Sequence, residues 1–195
     1  MPQEALVVPA APESVAGLRT WFRAGKAGLI AHFKDARPTA PAASRLTKAL
    51  TRHVDATLAA LWQQTGMPAN ATLVAAGGYG RGELFPHSDV DVLVLLPAEL
   101  DEASRGTVEG FVTACWDVGL EIGSSVRTVD ECLAESARDV TVQTALLESR
   151  AVCGAKRLFT QFRKAHDKAM DASSFLRAKT LEMRQRHVKY QGTPY

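Results

Sequence analysis

The sequence has little cysteine, and what it has is badly placed for cross-linking: Cys115, Cys132 and Cys153 are odd in number and widely spaced. That argues against a disulfide-stapled fold and a CxxC zinc site, and leaves reduced cytoplasmic thiols as the expectation. No long hydrophobic run occurs. The stretch Ala5-Leu6-Val7-Val8-Pro9 is too brief to span a bilayer, and Glu4 stands where a secretory signal would carry positive charge. Neither sign of charge prevails, since 23 basic and 21 acidic residues give a formal net charge of +2. With no basic stretch interleaved with aromatics, a template-binding groove is not indicated. His32, His53, His87, His166 and His187 are scattered, without a pair at metal-ligand spacing, and neither an internal repeat nor a Ser-His-Asp arrangement is present. The 46% hydrophobic fraction argues against disorder, and 195 residues suffice for one domain with a substantial core.

What the chain does have is concentrated in Gly77-Gly78-Tyr79-Gly80-Arg81-Gly82-Glu83-Leu84-Phe85-Pro86-His87-Ser88-Asp89-Val90-Asp91, followed by Val92-Leu93-Val94-Leu95-Leu96. The closing run is β-branched and apolar, too continuous for a half-exposed strand and too short for a core helix. It predicts a central strand covered on both faces. Asp89 and Asp91 stand at its head, and the period of two sends both side chains to one face. Carboxylates this close repel unless a cation or proton intervenes, so the doublet fits a divalent-metal site whose other oxygen ligands come partly from a nucleoside triphosphate. Taken alone, it fits a solvated turn as well. Upstream, residues 71–76 read as a strand running into Gly77 and Gly78. Small residues there let backbone N–H groups approach an anion, and Arg81 offers a bidentate guanidinium contact. Tight-turn glycines with a surface arginine are the plain alternative. The loop has neither the GxxxxGK[ST] spacing of a Walker A loop nor the GxGxxG of a dinucleotide fingerprint.

Together these residues resemble the nucleotidyltransferase superfamily of DNA polymerase beta, in which a glycine turn is followed by Asp-x-Asp on the next strand. In detail, Gly77 to Asp91 is similar to the N-terminal domain of the bacterial PII uridylyltransferases, also called uridylyl-removing enzymes. Three further stretches fit that family: Trp116 to Thr128, Thr144 to Arg150, and Arg186 to Tyr190. The resemblance implies an α+β fold, with a small mixed sheet, flanking helices and helix-rich regions at both ends. The expected division is a helical region over 1–68 packed on the core, a nucleotidyltransferase core over 69–150, and a helical extension over 151–195.

The resemblance also implies a third carboxylate, on a strand that follows a helix. Asp117 is the candidate, placed after an expected helix over 101–115 and before the alternating residues 120–126; Glu121 and a simple turn-capping role for Asp117 are the alternatives. Ser124 stands where the family often has histidine. The implied reaction is attack of an acceptor hydroxyl on the α-phosphorus of UTP, assisted by Mg²⁺ or Mn²⁺. Two divalent ions about 3.5 to 4 Å apart would flank the phosphate, activating the nucleophile and neutralising the leaving pyrophosphate. Asp89, Asp91 and Asp117 are the implied metal ligands. Gly77, Gly78, Gly80, Arg81 and Ser88 are the implied nucleotide-binding residues, and Arg127 either contacts substrate or braces the site. The implied acceptor is a tyrosine hydroxyl of the PII nitrogen-signalling protein, in the cytoplasm, with no nucleic-acid or membrane partner. Two other readings stay open: a nucleotidyltransferase using another nucleotide or acceptor, and a catalytically silent module that docks PII.

Around the core the chain reads as mostly helical. A helix is expected over 14–35, then a connector from Pro38 to Ala43, then a well-marked helix carrying Leu46, Leu50, Val54, Leu58 and Leu61 and ended by Gly66 and Pro68. Helices are further expected over 129–136, 141–149 and, as one or two long elements, 155–189, with Phe162, Leu176, Leu181 and Met183 as anchors. His166-Asp167 lies in that charged stretch and reads as a solvated helix face. The chain closes at Gln191-Gly192-Thr193-Pro194-Tyr195, just after a motif that continues in longer family members. A transferase piece without the phosphohydrolase and glutamine-sensing domains of the family is therefore expected.

Overall fold

A computed structural model describes residues 11–189 of the chain. Glu4, the short apolar run 5–9 and residues 190–195 lie outside them. Two helices open the fold. Ser14 caps α1 (Val15–Asp35) by accepting from Gly17 N, and Thr39 caps α2 (Ala40–Gln64) by accepting from Ala42 N. Pro41 lies in the first turn of α2, where its missing N–H costs no helical bond, so the expected connector shrinks to residues 36–39. Leu46, Leu50, Val54, Leu58 and Leu61 are buried, as their spacing predicts. Gly25 lets the two helices close on each other, since a Cβ there would lie 2.3 Å from the His53 ring.

The sheet follows from β1 (Thr72–Ala75), β2 (Val90–Leu96), β3 (Ile122–Thr128) and β4 (Arg150–Gly154), in spatial order β3-β2-β1-β4. β1 pairs antiparallel with both β2 and β4, whereas β2 and β3 run parallel, so the sheet is mixed. Parallel pairing requires a crossover, which α4 (Glu102–Val118) supplies. A one-turn helix, α3 (Gly77–Gly80), joins β1 towards β2. Four more helices, α5 (Val129–Arg138), α6 (Val140–Leu147), α7 (Lys156–Ala169) and α8 (Ala172–Lys189), complete an α+β fold of the kind the resemblance implied.

Alternation along β2 divides the interior into two cores. Val90, Val92, Val94 and Leu96 enter one core with Leu18 and Phe22 of α1, Leu58 of α2 and Phe111 of α4. Leu93 and Leu95 join Val74 of β1 in the other, beneath Cys132 of α5, Leu146 of α6 and Leu158 and Phe162 of α7. The strand is thus covered on both faces. Two expectations about the last helices are corrected. Leu176, Leu181 and Met183 are exposed rather than anchoring, because the half-buried side of α8 runs through Phe175, Ala178, Lys179 and Glu182, and the helix buries none of its residues. His166 is buried rather than solvated: with Leu158 and Phe162 it recurs every four residues along the inner stripe of α7, while Asp167 stays outside.

Candidate active site

The head of β2 carries the acidic pair. Asp91 lies on the same face as Leu93 and Leu95, but its carboxylate is exposed. Its carbonyl accepts from Ala76 N at 3.0 Å, which ties the strand head to the start of the glycine turn. Glycines flank the carboxylate. Gly77 adopts φ +54°, and a Cβ there would sit 3.5 Å from Asp91 Oδ2. Gly123, the register partner of Asp91 on β3, would place a Cβ 2.7 Å from Oδ1. A side chain at position 123 would therefore collide with the carboxylate. Burial, then the negative charge of Asp89, push the Asp91 carboxyl above its usual range. Two repelling carboxylate groups, one of them flanked by glycines, have the donor chemistry that a hard divalent cation needs.

The turn that faces this pair is built for close approach. The Arg81 guanidinium lies beside Gly78, with Nη2 3.6 Å from where a Cβ would be, and it is held there by Glu148 (Nη1 to Oε2, 2.5 Å) and Glu83 (Nε to Oε2, 3.2 Å). Gly80 serves packing instead: it is buried, and a Cβ would fall 2.2 Å from the Glu148 carbonyl oxygen. Ser88 is exposed in the loop before Asp89 and borders a cleft of about 100 Å³ that Phe22, Lys26, His53, Phe85 and Glu121 also line. Arg127 is half-buried on β3 opposite Leu95, on the face of Asp91 but further along the strand. Ser124 points by alternation to the opposite face.

Asp117 is not on a strand. α4 continues through Val118 and stops on Gly119, whose φ of +95° provides a left-handed cap, so Asp117 occupies the last helical turn. There Arg19 of α1 takes it, with Nε donating to the Asp117 carbonyl and Nη2 3.8 Å from Oδ1. Both helices pack on the face of the sheet opposite to Asp91. The alternative acid, Glu121, is closer in register: Val90 N donates to its carbonyl at 3.0 Å, which sets Glu121 level with Asp89. Among the described residues no three His, Cys, Asp or Glu side chains converge as a ready metal cage.

A cluster that the sequence did not reveal lies behind the turn. Asp55 of α2 accepts from the Tyr79 hydroxyl at 2.5 Å and from both terminal nitrogens of Arg150, at 3.0 and 2.8 Å. Arg150 also stacks 5.0 Å from the Tyr79 ring centroid and donates to the Tyr79 carbonyl at 3.4 Å. Burial, reinforced by the charge of Asp55, pushes the Tyr79 hydroxyl far above its ordinary range. The one available signal was Asp55 itself, a carboxylate directly following Val54 on the apolar side of α2, because a partly buried acid needs a partner.

Residues 57–151 match the family model described as nucleotidyltransferase domain. This segment is a nucleotidyltransferase domain. The chain is also 52% identical over 190 residues, 95% of its length, to the bifunctional uridylyltransferase/uridylyl-removing enzyme of Burkholderia mallei (strain ATCC 23344). It shows the same identity over the same span to the enzyme of that name from Burkholderia pseudomallei (strain K96243). In both cases it spans 21% of the relative's length. The nucleotidyltransferase segment begins within α2 and ends at the first residues of β4, so it includes the acidic pair, Tyr79 and Arg150, while Asp55 lies two residues before its start.

Proposed function

We propose that this nucleotidyltransferase domain transfers UMP from UTP to a tyrosine hydroxyl of a PII signalling protein in the cytoplasm, releasing pyrophosphate. The observation that carries the reading is the placement of Asp91 between Gly77 and Gly123, beside Asp89, in a chain that keeps 52% identity to uridylyltransferases. Asp89 and Asp91 would hold Mg²⁺ or Mn²⁺, with Glu121 or Asp117 completing the oxygen ligands. Divalent ions bound there supply activation of the acceptor hydroxyl and charge compensation for the leaving group. The chain's own part is positioning. Gly77 and Gly78 bring backbone N–H groups to the β- and γ-phosphates, with Ser88 at the rim, and Arg81 exchanges Glu148 and Glu83 for phosphate oxygens. Arg127 braces the same face from β3.

The test is intact-mass spectrometry of a PII protein after incubation with this chain, Mg²⁺ or Mn²⁺ and each of four nucleoside triphosphates in turn. A UMP increment with UTP alone, absent with the Asp89→Ala variant, is the expected result. An increment from another triphosphate would correct the nucleotide. Saturable PII binding without any increment, unchanged by Asp89→Ala, would replace the transferase reading with that of a docking module.

A further inference from the structure

Asp55, Tyr79 and Arg150 touch neither the acidic pair nor Arg81 in any bond described above, yet they act on the turn that does. Tyr79, the third residue of α3, is 2% exposed and is held at three points: its hydroxyl by Asp55, its ring face by Arg150 and its carbonyl by Arg150. The Asp55–Arg150 pair is bidentate, which fixes direction as well as distance. The Glu148 backbone fills the space beside Gly80, and its carboxylate holds Arg81. The far end of the turn, Gly77, faces Asp91. A turn made largely of glycine has no side chains of its own to limit its backbone, so its position must be imposed from outside.

We infer that Asp55, Tyr79 and Arg150 are positioning residues for the triphosphate, setting Gly77 and Gly78 against Asp91. The inference rests on the nucleotidyltransferase reading. It assigns a role to α2 and to the start of β4, which contribute nothing to the acidic pair directly. Misplacement by an ångström at a phosphate cradle is enough to weaken the contacts made there.

Tyr79→Phe is the decisive variant, because it keeps the ring and leaves Asp55 paired with Arg150; Asp55→Asn and Arg150→Lys are its companions. For Tyr79→Phe the dissociation constant for UTP in the presence of Mn²⁺, and KM for UTP, should rise about tenfold. The kcat at saturating UTP should stay within about twofold. Mn²⁺ affinity without nucleotide should be unchanged, since Asp89 and Asp91 remain. Arg150→Lys should recover only part of what Arg150→Gln loses, because an ammonium lacks the planar fork. A lowered melting temperature with unchanged UTP affinity and KM in Tyr79→Phe would reduce the cluster to a stability element and overturn the inference while leaving the transferase reading standing. If the unsubstituted chain shows no metal-dependent UTP binding, the transferase reading falls and this inference falls with it.

Discussion

The two faces of β2 share one backbone but carry different chemistry. On one face Val90, Val92, Val94 and Leu96 are all within 4% exposed and closed over by α1, α2 and α4. On the other, Leu93 and Leu95 are sealed under α5, α6 and α7, while Asp91 and, before it, Asp89 stand exposed at the strand head. A period of two is what allows this separation. The fully covered face anchors the strand, so the second face can present two repelling carboxylates without the strand losing its place. Substitutions on the two faces should therefore fail in different ways.

The largest effect belongs to Asp91. Replacing it by Asn should lower transfer by roughly 10²- to 10³-fold, since a charged ligand of the divalent ion that compensates charge at the reacting phosphate is lost. Stability should not fall with it. A carboxyl whose folded pKa is raised contributes favourably only below its unfolded value, and that contribution is lost as pH rises through the folded value; at pH 7 the ionised Asp91 therefore costs stability. Thermal melts should give Asp91→Asn a midpoint at or above that of the unsubstituted chain, and should show stabilisation by Mn²⁺ only in the latter. A variant that melts lower and still responds to Mn²⁺ would break the comparison.

Phe111→Ala probes the opposite face. Phe111 is fully buried and meets Trp62 edge-on with ring centroids 5.5 Å apart. Its truncation should cost about 3–5 kcal/mol in urea unfolding. Because no part of the acidic pair lies on that side, the folded fraction should bind Mn²⁺ and UTP with unaltered affinity. Weakened binding in molecules that remain folded would mean the two faces are coupled.

What was legible in the sequence was local and periodic. The continuous apolar run announced β2 as a doubly covered strand, the Leu46 to Leu61 spacing announced α2, and the Asp89–Asp91 alternation placed both carboxylates together. What escaped depends on distant partners. β4 shows no alternation and exists because β1, some eighty residues earlier, needs a second edge, with Thr72 Oγ1 donating to the Ala155 carbonyl. The Asp55–Tyr79–Arg150 cluster joins three segments that no spacing rule connects. α4 was underrun by a turn although Gly119 marked its end, and that shift moved Asp117 from an imagined strand into a helix. In α8 Leu176, Leu181 and Met183 lie off the half-buried side formed by Phe175, Ala178, Lys179 and Glu182, so composition suggested burial where packing does not provide it.

The smallest effect, and the finest test of the two faces, is the choice between Glu121 and Asp117 as third acid. Glu121 precedes β3 directly, and its backbone bond to Val90 brings it level with Asp89, so a modest change of its side chain can add an oxygen beside the pair. Asp117 belongs to the α1–α4 side, where an exposed pairing with Arg19 contributes little. Glu121→Gln should therefore reduce transfer about tenfold, while Asp117→Asn stays within about twofold, both measured as kcat/KM at saturating Mn²⁺. The reverse order would mean that the end of α4 swings across the strand head when nucleotide binds, because no smaller movement takes Asp117 from one face of the sheet to the other.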